Sequence, residues 1–87
     1  MEPKELLMQI LEALTLKDRK EFFVKETPTS RLIIYEIKIP DASFVIGKKG
    51  ITIKAIRHLF RIIGRKINKQ IIIIILDEAP RTASMDN

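Results

Sequence analysis

Apolar residues recur along this chain with two periods, and each change of period marks a new element. Behind Pro3, which suits the first position of a helix, Leu6, Leu7, Ile10, Leu11, Ala13 and Leu14 fall at helical spacing and predict a helix over residues 3–15. "TLKDRK" breaks the pattern, and "EFFVKE" then carries phenylalanine and valine suited to a short strand. Pro28, within "TPTS", marks a turn. In "RLIIYEIKI" the period is two: Ile33, Tyr35, Ile37 and Ile39 share one face, and Leu32, Ile34, Glu36 and Lys38 share the other. The two strands therefore predict a hairpin. Pro40 ends the second strand, and Asp41 is placed to cap one short helical turn reaching Ile46.

The helical period returns over residues 51–63, with Gly64 expected to close the helix. At about 100° per residue, Lys54, Arg57, His58, Arg61 and Arg65 fall on one side and Ile53, Ile56, Leu59, Phe60 and Ile63 on the other. Ile51 and Ile62 sit beside the basic stripe, too close to it for ordinary core positions. "QIIIIIL" is short and β-branched, hence a strand. The order α-β-β-α-α-β predicts an α+β domain with a sheet backed by helices. That last strand is apolar on both faces, however. Either Ile71, Ile73 and Ile75 or Ile72, Ile74 and Leu76 would face outward and join Leu32 and Ile34 in an exposed patch, unless the strand is central and shielded by its neighbours.

Composition narrows the classes. A chain of 87 residues with 46% apolar content fits one small domain, taken here as residues 1–78, with a polar tail over 79–87 expected to be disordered. Cysteine is absent and His58 is the lone histidine, so neither a disulfide nor a metal site nor any other cofactor is expected. The apolar run Ile71–Leu76 is far short of the roughly 20 residues of a membrane span, and Glu2 and Glu5 do not fit a signal peptide. A cytoplasmic protein is the expectation. His58, alone on a charged helix face, is read as solvated rather than catalytic.

Charge placement says more than net charge. Lys48, Lys49, Lys54, Arg57, Arg61, Arg65, Lys66 and Lys69 lie between Ala42 and Leu76 with no acidic residue among them, while the rest of the chain holds eight basic and eleven acidic groups. Such segregation fits a polyanion partner, nucleic acid above all, and equally fits a solvated basic face. The segment opens with two of the chain's three glycines, Gly47 and Gly50, around Lys48 and Lys49. Glycines at both ends of a turn let the backbone approach a ligand and leave amides open at a helix start, where phosphate is favoured. Val45, Ile46, Ile53 and Ile56 would set an apolar floor beside that turn, a combination suited to single-stranded nucleic acid.

"VIGKKGITIKAI" resembles the signature of KH domains, in which Val-Ile-Gly-x-x-Gly is followed by isoleucines three and six residues after the second glycine, here Ile53 and Ile56. The order of elements is similar to the type II, prokaryotic arrangement with its three-stranded mixed sheet, and the size to small stand-alone bacterial members. The resemblance implies a non-catalytic module that clamps about four nucleotides of single-stranded RNA, acting as an RNA chaperone or post-transcriptional regulator. The RNA-binding residues it implies, with the neighbouring cations, are Val45, Ile46, Gly47, Lys48, Lys49, Gly50, Ile53, Lys54, Arg57 and Arg61. Where the small members place a glycine and a basic residue before Val-Ile, this chain has Ser43 and Phe44, so Phe44 is expected either to pack or to stack on a base. The resemblance also implies a homodimer and pairing with a larger KH-domain protein. The alternative is a protein-interaction scaffold that uses a KH-like surface with little RNA binding. No nucleophile lies near a base in any motif, which argues against an enzyme.

Overall fold

A computed structural model describes residues 2–16 and 21–77. The expected tail over 79–87 lies outside the described residues. Helix α1 (Pro3–Thr15) is followed by strands β1 (Phe23–Pro28) and β2 (Leu32–Ile39), a single turn of helix α2 (Ser43–Ile46), a 3-10 turn (Lys48–Gly50), helix α3 (Ile51–Lys66) and strand β3 (Gln70–Asp77). The α-β-β-α-α-β order and the mixed three-stranded sheet agree with the sequence reading. Strand β2 is central, antiparallel to β1 and parallel to β3. A parallel neighbour needs a crossover, which α2, the 3-10 turn and α3 supply.

The period-two pattern of β2 settles which face is inside. Ile33, Tyr35, Ile37 and Ile39 are buried, and they meet Leu7 and Leu11 of α1 and Ile53, Ile56 and Phe60 of α3 in one core. Tyr35 is fully enclosed and lies edge-on to Phe60, with ring centroids 6.5 Å apart. Its hydroxyl donates to Glu26 Oε2 at 2.9 Å from the facing position of β1, so the polar end of a buried ring is satisfied. Burial, with that carboxylate beside it, raises the Tyr35 pKa above the ordinary phenol range.

Three local expectations are corrected. Gly64 does not end α3; the helix continues to Lys66, and the left-handed residue beyond it is Asn68, with φ 60°. Gly64 is needed for space instead, because a Cβ there would run into the carbonyl oxygen of Lys69, whose amide donates back to Gly64 O at 2.9 Å. Leu59, assigned to the packed side of α3, is 40% exposed. Ala42, not Asp41, holds the cap position of α2, and Asp41 Oδ1 accepts the Ser43 amide at 3.0 Å from one residue further out. Of the two alternatives for β3 the structure takes the exposed one: the strand is an edge, Ile73 packs inward, flanked by the partly buried Ile71 and Ile75, and Ile74 and Leu76 are each 38% exposed. Among the described residues no helix is long and apolar enough to cross a membrane.

Candidate nucleic-acid interface

The turn between α2 and α3 is held by two glycines that do different things. Gly47 (φ 77°, ψ 172°) occupies a region that residues with a side chain avoid. A Cβ on it would also lie 2.7 Å from Thr52 Cβ and 2.9 Å from Thr52 N, so the start of α3 packs directly on the bare glycine. Gly50 (φ 75°, ψ 16°) is left-handed, but a Cβ there would meet nothing closer than 4.0 Å. One glycine is required for space and conformation, the other for conformation alone. Lys49 between them is also left-handed, with φ 56°, a conformation that costs a lysine about 1 kcal/mol or more.

Backbone donors in this turn are partly committed. The Gly47 amide donates to Ser43 O at 2.8 Å and that of Gly50 to Gly47 O at 3.1 Å. The Lys48 and Lys49 amides, first in the 3-10 turn, have no intrahelical acceptor ahead of them, and both side chains are exposed. Lys54 joins them: its Cε lies 4.0 Å from where a Cβ on Gly50 would stand. Three lysines thus stand at or beside the turn, a composition that attracts phosphate oxygens.

Arg57 is placed differently. Its Nε and Nη2 both donate to the carbonyl oxygen of Ile73, at 3.2 and 3.1 Å, on the β3 edge that β2 leaves unpaired. The guanidinium therefore blunts an open sheet edge and lines the groove between α3 and β3. Arg61, a turn further on, lines the same groove and is exposed.

The expected apolar floor is only partly at the surface. Val45 is fully buried, and Ile53 and Ile56 are 6% and 5% exposed, all three within the core; Ile46 is the one of the four that is half-buried. Phe44 does not pack. It is 67% exposed, three residues before Gly47. Of the two alternatives the sequence left for Phe44, packing is the one its exposure excludes.

Two helices joined by a Gly-x-x-Gly turn and laid over a mixed three-stranded sheet, with the parallel strand last, define this chain as a type II KH domain. Its sequence is 38% identical over 78 residues to the RNA-binding protein KhpA of Chlamydia pneumoniae, an alignment covering 86% of this chain and 97% of that protein. KhpA of Chlamydia caviae is 36% identical over 78 residues and KhpA of Chlamydia trachomatis 36% over 77, with the same coverage. The chain belongs to the KhpA family. No family model matches it, and no solved structure does.

The unequal roles of the glycines give a stability order. Gly47→Ala should lower unfolding free energy by about 2–4 kcal/mol through strain and the clash with Thr52. Gly50→Ala should cost only about 1 kcal/mol, and Gly50→Asn less, since asparagine tolerates the left-handed region. Urea denaturation of the three variants checks the order; equal losses at both positions would refute it.

Proposed function

We propose that this protein is a non-catalytic single-stranded RNA-binding module, acting in the cytoplasm as an RNA chaperone or post-transcriptional regulator. The observation that carries the reading is the turn itself: Lys48 and Lys49 amides without an intrahelical acceptor, with the Lys54 side chain beside Gly50. The names of the relatives, RNA-binding proteins, point the same way. In this reading Gly47 and Gly50 let the RNA backbone approach, and Lys48, Lys49 and Lys54 hold its phosphates. Ile46 offers apolar surface to a base, Val45 and Ile53 support the turn from the core, and Arg57 and Arg61 continue the groove. About four nucleotides fit such a clamp. Phe44 adds a stacking surface, a contact worth about 1–3 kcal/mol per base.

A second reading rests on the outer sheet face. Phe23 is 60% exposed, and Ile74 and Leu76, 38% exposed each, continue that uncovered apolar surface with Leu32, Ile34 and Ile72. Apolar faces of this kind mark protein contacts. We propose that a second copy of the chain covers it, and that a larger KH-domain protein competes for it. A scaffold with little RNA binding is the limiting form of this reading.

Lys48→Asp combined with Lys49→Asp should abolish binding of single-stranded RNA with an unchanged circular dichroism spectrum, because both side chains are exposed. The wild type should prefer a single strand to a blunt duplex, whose paired bases are hidden. For a tetranucleotide, roughly three to four phosphate contacts should give a slope of log affinity against log salt of about −2 to −3. Retained affinity in the double variant, or a slope near zero, would remove the clamp.

For the outer face, light scattering at micromolar concentration should find a dimer in the wild type and a monomer in Ile74→Lys. A wild-type monomer would exclude the covered face.

A further inference from the structure

Two isoleucines of α3 have no place in the core. At about 100° per residue, Ile51 lies about 180° around the helix from the fully buried Phe60, and Ile62 only about 20° from Ile51. Ile51 is 69% exposed and Ile62 40%, with the small, exposed Ala55 on the same side, so an apolar ridge runs about 17 Å along the outer side of the helix. Leu59, also 40% exposed, widens it on one flank. Cations border the ridge on both sides: measured from Ile51, Lys54 and Arg65 stand about 40–60° away on one side and Lys66 about 60° away on the other, and all three are exposed. Helix α3 carries no carboxylate.

The partner that fits such a ridge is apolar along its centre and anionic at its margins. A second copy of the chain does not meet that condition, because a two-fold contact between α3 helices would set Lys54, Arg65 and Lys66 against the same residues of the other copy. Like charges would then meet with no carboxylate between them. A partner helix seeks a groove, and this surface is convex, since its isoleucines stand opposite the core rather than between two elements. A lipid leaflet meets both conditions: its acyl boundary takes the isoleucines, and its anionic headgroups take the long basic side chains that reach past them. We propose that α3 lies along the surface of a bilayer that contains anionic phospholipid, with Ile51 and Ile62 inserted between the headgroups and Lys54, Arg65 and Lys66 paired with their phosphates. With 16 residues the helix lies on the bilayer rather than across it. Neither isoleucine takes part in the RNA contact proposed above.

The test uses the whole protein with vesicles of phosphatidylcholine, either alone or mixed in equal parts with phosphatidylglycerol. The chain has no tryptophan, so Ile51→Trp reports on the ridge alone. Its emission should shift to the blue on the mixed vesicles and stay unchanged on phosphatidylcholine. In co-sedimentation the wild type should pellet with the mixed vesicles; Ile51→Ser with Ile62→Ser should weaken that binding about tenfold or more, and Arg65→Gln with Lys66→Gln by about tenfold. All four side chains are exposed, so the circular dichroism spectrum should hold, and tetranucleotide affinity should stay within about twofold. Should the serine pair unfold, the tryptophan shift still decides. No wild-type binding to the mixed vesicles would overturn the docking, as would equal binding to phosphatidylcholine alone. Binding that survives the serine pair, with no tryptophan shift, would overturn it in favour of bare charge attraction. A dimer in light scattering that the serine pair turns into a monomer would also overturn it, by giving the ridge to a second copy.

Discussion

The direct packing of Thr52 on the bare backbone of Gly47 is the contact on which the functional surface depends. It brings the start of α3 against the end of α2 with no side chain between, and so forces the chain to reverse within the Lys48–Gly50 turn. That reversal requires positive φ at Gly47, Lys49 and Gly50. A lysine held in the left-handed region is a local cost of about 1 kcal/mol or more. Burial of Val45 just before the turn and Ile53 just after it offsets this cost and fixes the turn from below.

Helix α3 divides the rest of the molecule. One side sends Ile53, Ile56 and Phe60 into the core against Tyr35, and the other carries Lys54, Arg57, Arg61 and Arg65. Because the buried side is anchored, the backbone positions that carry these cations keep a fixed spacing along the helix. Arg57 shows how the two sides cooperate. By donating twice to Ile73 O it ties the basic face to the sheet edge and keeps that edge from pairing at random.

Much of this was legible because periodicity is local. The α1 span, the inward face of β2 and the exposure of Ile51 and Ile62 follow from spacing alone, and the glycine turn from two residues three apart. What was not legible depends on distant partners. Gly64 reads as a helix stop until the Lys69 carbonyl above it is known. The edge position of β3 is a matter of strand order, which no local pattern encodes. Leu59 sits at the flank of the helix, where a rotation of one residue separates core from surface. Val45 and Ile53 were read as groove lining because an apolar side chain beside a turn looks the same in sequence whether it faces a ligand or the core.

The central claim is that RNA is gripped at the turn built on Gly47 and Gly50, and the most direct measurement is a two-dimensional amide NMR titration with a single-stranded tetranucleotide. The account predicts that the largest shift changes fall on the amides of Gly47, Lys48, Lys49 and Gly50, with smaller ones at Lys54 and Arg57 and none along the outer face of β3. Largest changes at Ile72, Ile74 and Leu76, with the turn unmoved, would contradict it.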